Sequence, residues 1–334
     1  MSTRLSVRTA GLTLDLEDMT HRHTASLARA TDTGTCVAIT DPDVRVLVER
    51  RHHMFRTTGM APVTRGVWSA ADTMVIDSVG GSGFSQLWRC HEDHLEVRAR
   101  WTPSWLEKGA TVLSNRRDAL RGQVLLHYPA MWWAVTRGYA PLHVSVLEID
   151  GVVAVLAGPG GVGKSTLVAQ ALDRGARAAC DNVAVCDGEV AHGLREPLRL
   201  AVADGGPASG ARTTHGRREL SWDRRVPTLR PDLVLVVRRG NGPRVRAIDP
   251  QHARRALVAG TYAAGELRRF WALTALLGLA TGHGPVLPPV DEVAQRLTSR
   301  LPCFELELGQ TPGAGLHTLL APHLANVGRQ EVAQ

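Results

Sequence analysis

Lysine is nearly absent from this sequence. Of its 39 basic residues only Lys108 and Lys164 are lysines, and the other 37 are arginines. The arginines are spread along the chain, although the net charge is +7. Such a spread is typical of a solvated surface and argues against a nucleic-acid interface. An anionic substrate such as a nucleotide also fits a basic surface.

Cysteine and aromatic residues are too few for several kinds of site. Aromatic residues make up 4% of the chain and are not interleaved with arginine, as they are in single-strand binders. The cysteines show neither CxxC nor Cys/His spacing, which speaks against a zinc site and a disulfide framework. A reducing cytoplasm is therefore the expected compartment. The five cysteines are Cys36, Cys90, Cys180, Cys186 and Cys303.

Long hydrophobic runs and internal repeats are missing as well. The longest uncharged stretch, residues 270–290, is broken by glycines and prolines, so we expect a buried helix and a loop rather than a membrane span. Residues 1–18 carry charges throughout, which speaks against a secretory signal. The sequence therefore predicts a soluble protein without a membrane partner.

Residues 1–138 form a predicted β-rich N-terminal domain, for which packing and peptide binding are both open roles. From Arg116 to Tyr139 the pattern is helical, and Pro129 is expected to kink or split this helix. Trp132 and Trp133 are expected in the core or at a domain interface. Before them, β-rich runs bounded by turn residues predict strands; they include Arg4–Leu16, Val44–Val48, Met74–Ser78, Leu87–Cys90 and Leu95–Trp101.

Residues 139–334 alternate between strand and helix patterns, which predicts a second domain of the α/β class. The apolar run Val152–Ala157 is typical of a strand buried on both faces. The remaining predicted strands are Leu142–Ile149, Leu233–Val237 and Cys303–Leu308. The predicted helices are Gln251–Thr261, Gly265–Leu279 and Asp291–Leu301.

The segment after Val152–Ala157 matches the phosphate-binding loop pattern G-x4-G-K-[ST]. Its glycines let backbone N–H groups turn toward nucleotide phosphates, and the helix N-terminus adds a partial positive charge. Lysine is required here because a compact ammonium fits between two phosphates and a guanidinium does not. We therefore predict binding of ATP and Mg²⁺, with Ser165 as a metal ligand. The predicted nucleotide-binding residues are Gly158, Gly160, Gly161, Val162, Gly163, Lys164, Ser165 and Thr166.

An acidic residue follows the next predicted strand. Asp181 lies 17 positions after Lys164, where it can meet Mg²⁺ or an attacking hydroxyl, or simply cap a turn. The later strand Leu233–Val237 ends in two arginines instead of the Asp-Glu of an ATPase motor. Transport ATPases and regulatory GTPases are therefore disfavoured.

These residues resemble the nucleotide domain of HPr kinase/phosphorylase. The resemblance rests on Leu142-His143, Gly151, the glycine loop, Arg174-Gly175 and Asp181-Asn182. It implies a kinase that phosphorylates a serine hydroxyl on a protein or peptide. It further implies that Asp181 is the base facing the hydroxyl, that Lys164 contacts the phosphates, that His143 is a neighbour in the site, and that a homo-oligomer is possible.

Two departures from the family pattern are informative. Asn182 stands where the family has a second acid, and residues 193–197 lack the Arg-Gly-rich signature linked with phosphorolysis. We therefore expect kinase activity without the reverse reaction. The long β-rich leader looks more like the HPr-kinase-like proteins of peptide natural-product pathways, such as lasso-peptide kinases, which act on a precursor-peptide serine.

Other roles stay open at this stage. Glu196 is either a Mg²⁺ contact or a surface carboxylate, and residues 205–225 are either a lid or a basic loop. A small-molecule kinase and a nucleotide-binding regulatory module with little turnover are the alternative functions. The arginines that can reach phosphate are Arg212, Arg217, Arg218, Arg224 and Arg225, with Arg238 and Arg239 as rivals.

Overall fold

Eight strands of the N-terminal region form one sheet in a computed structural model, which describes residues 2–32, 39–105, 107, 116–201, 217–309 and 316–327. The strand order is β1-β2-β3-β8-β7-β6-β5-β4, and the pairs β2–β3 and β3–β8 are parallel. The predicted strands at 44–48 and 95–101 are confirmed. The strands are β1 Thr3–Thr9, β2 Leu12–Asp18, β3 Val44–Val48, β4 Ala61–Thr64, β5 Val67–Ala70, β6 Thr73–Ile76, β7 Phe84–Cys90 and β8 Leu95–Trp101.

The helical stretch after this sheet is continuous through Pro129. Helix α1 spans Thr24–Ala30, between strands β2 and β3. The later stretch begins with α2 (Arg116–Gly122), which runs through the π-helical turn Gln123–His127 into α3 (Tyr128–Val135). Proline has no N–H for the usual bond, and the wider turn before it accommodates the ring without a break. The helix ends at Val135, four residues before the predicted end.

Both tryptophans of α3 are buried in the core. Trp132 is fully buried and meets Trp88 of the sheet edge to face, with ring centroids 5.9 Å apart. Trp133 lies in the same hydrophobic cluster. Packing is therefore the role that the structure shows for this pair.

The second half of the chain contains a mixed six-stranded sheet. Its order is β12-β10-β11-β18-β20-β19, with β11, β18 and β20 parallel to one another. Strand β11 is buried on both faces, as its apolar run predicted. The strands are β10 Ser145–Ile149, β11 Val152–Ala157, β12 Arg177–Cys180, β18 Leu233–Arg239, β19 Arg244–Ala247 and β20 Cys303–Leu308.

The predicted single strand Leu142–Ile149 is wrong, because the structure divides it at His143. Its first residues belong to a separate four-stranded antiparallel sheet, in the order β17-β14-β13-β9. The His143 N–H donates to Thr261 Oγ1 and the Val144 N–H to the Leu142 carbonyl, so neither group joins a ladder. The remaining strands are β9 Ala140–Leu142, β13 Ala184–Cys186, β14 Ala191–Gly193 and β17 Thr228–Leu229, with a ribbon of β15 Leu198–Ala201 and β16 Arg217–Leu220.

Helices cover both faces of the six-stranded sheet. One hydrophobic cluster joins it to α5 and α7, and another joins it to α4 and α8. Helix α6 packs instead against the N-terminal sheet through Phe270, Leu273 and Leu277, so the two halves share one core cluster. No helix in the described ranges is both long and apolar enough to cross a bilayer. The helices are α4 Lys164–Asp173, α5 Pro250–Ala263, α6 Arg268–Thr281, α7 Val290–Arg300 and α8 Leu316–Val327.

Candidate functional site

The glycine loop lies between strand β11 and helix α4, the context that the motif predicted. Gly158, Gly161 and Gly163 have φ values of 145°, 79° and 118°, which side-chain-bearing residues rarely adopt. A Cβ on Gly158 would lie 2.6 Å from the Val237 carbonyl oxygen of the neighbouring strand. Glycine at 158 is therefore fixed by backbone conformation and by the close approach of β18.

The lysine of this loop folds back over the loop itself. Lys164 is 5% exposed, and its Nζ donates to the carbonyl oxygens of Gly158 at 2.7 Å and Pro159 at 3.3 Å. Burial lowers the pKa of Lys164 to about 8, although the negative charges of Glu266 and Asp181 raise it in part. The ammonium is thus held at the glycine loop within the influence of two carboxylates.

Asp181 follows strand β12 and is 2% exposed. Neither carboxylate oxygen has a hydrogen-bond partner among the described residues. Burial raises the pKa of Asp181 to about 6. The negative charge of Glu196 also raises this pKa, whereas the Arg199 guanidinium lowers it. The nearby Ser165 hydroxyl and Arg199 N–H lower this pKa without reaching hydrogen-bond geometry. The backbone is fixed, because the Ser145 hydroxyl donates to the Asp181 carbonyl at 2.6 Å.

Glu196 adds a second buried carboxyl group to the site. It is 4% exposed, so the expectation of a surface carboxylate is wrong. Its Oε2 accepts from Arg199 Nη1 at 3.2 Å, while its Oε1 has no partner among the described residues. Arg199 also donates to Glu219 across the β15–β16 ribbon at 3.2 Å. Arg199 was missed from the sequence because strand pairing, not a motif, brings it here.

His143 lies at the break between β9 and β10 and is 5% exposed. Burial lowers its pKa to about 4, and the Lys164 charge acts in the same direction, so the ring is neutral at pH 7. Helix α5 links His143 to the glycine loop. Its Thr261 accepts the hydrogen bond from the His143 N–H. The preceding residue, Gly260, lies against the loop, because a Cβ on it would be 3.4 Å from the Gly158 carbonyl oxygen.

Glu266 completes the charged set around Lys164. It lies in the connection between α5 and α6, and its charge raises the pKa of both Lys164 and His143. It is about a hundred positions from the glycine loop in the sequence. No local pattern links the two segments, so only the tertiary fold identifies Glu266 as part of the site.

Two of the candidate phosphate-contacting arginines lie near the loop. The Arg217 charge lowers the pKa of Lys164, which places it close to that ammonium. Arg239 lies across the loop, its Nη2 3.5 Å from the position that a Cβ would take on Gly163. Arg218 shares the short strand β16 with Arg217.

The other candidate arginines are engaged elsewhere. Arg224 donates to the Gly175 carbonyl at 3.3 Å, at the far end of α4. Arg238 pairs with Glu305 at 2.7 Å and with Glu307. Arg212 and residues 205–216 of the predicted lid lie outside the described residues.

The segment that carries Glu196 is anchored to the N-terminal region. The Arg195 guanidinium donates to the Thr31 and Asp32 carbonyl oxygens at 3.2 and 3.3 Å. Arg225 donates to the Glu196 carbonyl oxygen and pairs with the Asp32 carboxylate at 3.4 Å. Asp32 therefore connects the end of helix α1 to the Arg195 side chain and, through Arg225, to the backbone carbonyl of Glu196.

Ser165 and Asp181 suit a magnesium ion that also binds phosphate. No group of three or more His, Cys, Asp or Glu side chains within the described ranges could hold a metal by itself. Mg²⁺ commonly takes one or two protein oxygens and completes its shell with phosphate and water. The Ser165 hydroxyl at the N-terminus of α4 and the nearby Asp181 carboxylate, which has no partner among the described residues, match this mode of coordination.

A separate cavity lies apart from these residues. It has a volume of about 450 Å³ and lies at the opposite end of α4. Its walls carry both acidic and basic side chains, among them Glu148, Asp150, Arg174 and Arg177. Because its charges are mixed and its polar groups are partly paired, it adds no candidate chemistry to the site.

Comparisons with known proteins add little to this geometry. No family model matches the chain, and no curated protein matches it. A solved structure, the HPr(Ser) kinase/phosphatase from Coxiella burnetii, matches 58% of this chain and 95% of that chain, with 13% identity and a TM-score of 0.31. The likeness is distant and carries no argument about activity.

Replacing Asp181 with asparagine is expected to stabilise the protein at neutral pH. The folded pKa of about 6 lies above the usual 3.8, so the folded state is penalised once the group ionises. Asp181→Asn should raise the free energy of unfolding by up to about 3 kcal/mol above pH 6, and the gain should vanish below pH 4. Urea unfolding at pH 4 and pH 8 measures this, with the exposed Asp173→Asn on α4 as control. Equal changes at both pH values would contradict it.

Loss of Asp32 is expected to loosen the Glu196 segment. Asp32→Ala leaves the partly buried Arg225 without its carboxylate and removes the acceptor of the Ser221 hydroxyl, which donates at 2.6 Å. The free energy of unfolding should fall by about 2 kcal/mol. The exposed neighbour Asp223→Ala should change it by less than about 0.5 kcal/mol. Similar values for the two variants in urea unfolding would show that Asp32 anchors nothing.

Proposed function

We propose that this chain is an ATP- and Mg²⁺-dependent kinase that transfers the γ-phosphate to a serine hydroxyl of a protein or precursor peptide. The observation that carries the proposal is the buried Asp181 carboxylate, which lies without a hydrogen-bond partner in the described structure within the electrostatic reach of Lys164. A carboxylate with free lone pairs next to a phosphate-binding loop is suited to receive a proton from an attacking alcohol.

The glycine loop and Lys164 would hold the triphosphate. Backbone N–H groups of the loop and the N-terminus of α4 attract phosphate oxygens, since helix N-termini carry partial positive charge. Among the described residues Lys164 donates to two carbonyl oxygens of the loop, and a phosphate offers it a stronger, charged acceptor. Mg²⁺ bound by Ser165 and Asp181 would neutralise phosphate charge and orient the terminal group.

Asp181 would act as the base. Its pKa of about 6 makes it largely ionised at pH 7 yet more basic than an ordinary aspartate, which suits proton transfer near neutral pH. In the transfer step the alcohol oxygen bonds to the γ-phosphorus and the bond to the β–γ bridging oxygen breaks. The alcohol proton passes to Asp181, and ADP is the second product.

The neighbouring side chains would set the charge of this site. His143 is neutral at pH 7 and so adds no positive charge beside Lys164. Arg217 and Arg239 lie near enough to the loop to stabilise charge on the transferred group. Arg199 would hold Glu196 in place while that carboxyl keeps the pKa of Asp181 raised.

The serine acceptor and the one-way reaction rest on the resemblance to HPr kinase/phosphorylase and on the departures from its pattern. Asn182 and the lack of an Arg-Gly-rich segment at 193–197 support a kinase without phosphorylase activity. A cytoplasmic location fits the scattered cysteines. A small-molecule kinase is the main alternative, and a nucleotide-binding module with little turnover is the other.

Transfer of label from ATP separates these functions. Wild-type protein is incubated with labelled ATP and candidate peptides, metabolites or buffer alone, and products are identified by mass spectrometry. Label on a serine supports the proposal, label on a metabolite supports the small-molecule kinase, and label on neither supports the regulatory module.

Lys164→Ala should abolish nucleotide binding or turnover, and Asp181→Asn should slow transfer by about 10² to 10⁴ with ATP affinity little changed. A wild-type transfer rate in the Asp181→Asn variant would show that Asp181 is not the base.

The pH dependence of kcat/KM should be bell-shaped. The rate should rise with pH through about 6 as Asp181 loses its proton, and fall above about 8 as Lys164 loses its own. The γ-phosphate of ATP also ionises near the lower value. Asp181→Asn therefore serves as the control, because its residual activity should lose most of the acidic limb. An unchanged acidic limb in that variant would assign it to the nucleotide.

A further inference from the structure

The strand beside the glycine loop ends in an arginine on the face that carries the loop. Strand β18 is parallel to β11, and its Val237 carbonyl oxygen is 2.6 Å from the position that a Cβ would take on Gly158. Successive side chains of a strand point to opposite faces of the sheet. Val237 lies in the hydrophobic cluster that contains Val162 of the loop. Arg239, two residues after Val237, therefore belongs to the same face as the loop and α4.

Arg239 lies against the last glycine of the loop. Its Nη2 and Cζ atoms are 3.5 and 3.9 Å from the position of a Cβ on Gly163, the N-cap residue of α4. Its Nη1 donates to the Gly309 carbonyl oxygen at 3.2 Å, which ties the guanidinium to the end of β20. Arg239 is exposed, and so are Gly160 and Gly161 of the loop. A ligand that enters the loop from solvent can therefore reach this guanidinium.

No carboxylate in the described part of the chain pairs with Arg239. The neighbouring Arg238 belongs to the opposite face, where it pairs with Glu305 at 2.7 Å and with Glu307. The bond from Arg239 to a neutral carbonyl leaves its positive charge without a counter-charge. Since the N-terminus of α4 is itself partly positive, the two groups repel each other until an anion lies between them.

The charge at the end of β18 is the reverse of that in many phosphate-loop enzymes. In those enzymes an acid in this region helps to hold Mg²⁺. The proposed metal ligand of this chain, Asp181, follows β12, which lies on the other side of β11 in the sheet order. The proposed metal ligand and the free guanidinium thus approach the loop from opposite sides.

The position of Arg239 along the loop indicates which phosphate it meets. In such loops the backbone N–H groups bind the α- and β-phosphates, and the lysine reaches the β- and γ-phosphates. Lys164 Nζ lies at the start of the loop, on the Gly158 and Pro159 carbonyl oxygens. Arg239 lies at the other end, on Gly163. It therefore faces the phosphates that the loop backbone binds.

We propose that Arg239 is a nucleotide-binding residue that contacts a phosphate common to ATP and ADP. This inference rests on the proposed function. A guanidinium can donate two parallel N–H groups to two phosphate oxygens, and such charged hydrogen bonds are stronger than neutral ones. Because the phosphate stays with the nucleotide during transfer, Arg239 contributes equally to the affinity for substrate and for product.

Replacing Arg239 should weaken both nucleotides by the same factor. Calorimetric titration with ADP, and with an ATP analogue in which an NH group replaces the β–γ bridging oxygen, measures this without any acceptor. Both ligands are added with excess Mg²⁺. Arg239→Gln should raise the two Kd values by about ten- to a hundredfold, the effect of losing a hydrogen bond between charged groups.

Arg238→Gln is the matched control, because it removes the same charge from the same strand end on the opposite face. It should change both Kd values by less than about twofold, since solvent screens that charge. Glu305 keeps Arg246 as a partner at 2.8 Å in this variant. Arg239→Lys keeps the charge but lacks the planar fork, so it should show a smaller loss, again equal for the two ligands. It also replaces Arg239→Gln should that variant not fold.

The outcomes separate Arg239 from the kinase. Unchanged Kd values in Arg239→Gln, or an equal loss in Arg238→Gln, would overturn the assignment. A loss for the ATP analogue alone would place the guanidinium on the γ-phosphate and overturn it as well. If the wild-type protein binds both nucleotides but phosphorylates no acceptor, the kinase fails while Arg239 keeps its role. If it binds neither nucleotide, both proposals fail.

Discussion

An unpaired carboxylate in a dry interior is the constraint on which this site depends. Asp181 makes no side-chain hydrogen bond in the described structure, and burial raises the pKa of its carboxyl group to about 6. Such an arrangement persists only if the surrounding fold forces it. The backbone at Asp181 is held by the Ser145 hydroxyl, and strand β12 is paired with β10. The fold therefore fixes the carboxylate in a position that its own energetics disfavour.

The N-terminal region contributes to this fixation. Arg195, Arg225 and Asp32 tie the backbone around Glu196 to the end of helix α1, and His127 of the π-helical turn contacts the Arg195 carbonyl oxygen at 3.3 Å. Because the Glu196 charge raises the pKa of Asp181, these contacts link α1 and the helical segment to the environment of the proposed base. The β-rich half is thus structurally connected to the proposed chemistry.

The parts of the site that are close in sequence could be predicted, and the parts that depend on tertiary structure could not. The strand, glycine loop and helix around Lys164 are encoded within a few turns of chain, so the pattern alone placed them. Asp181 followed from its position after the next strand. Glu266 and Arg199 act on these residues through long-range packing, which no spacing shows. His143 was expected inside a strand, yet side-chain bonding by Thr261 places it at a break.

In the proposed function, the charges of this site favour a metal-bound nucleotide over a free one. Among the described residues, the cations Lys164, Arg199 and Arg217 face three carboxyl groups, on Asp181, Glu196 and Glu266. These charges largely offset one another, and Arg239 beside Gly163 leaves only a small positive excess for a triphosphate. In the proposed complex the remaining attraction would come from backbone N–H groups of the loop, from the N-terminus of α4, and from a divalent cation that arrives with the phosphates. The Asp181 carboxylate, whose oxygens have no hydrogen-bond partner among the described residues, would repel bare phosphate but bind that cation, and so would favour the complex over the free nucleotide.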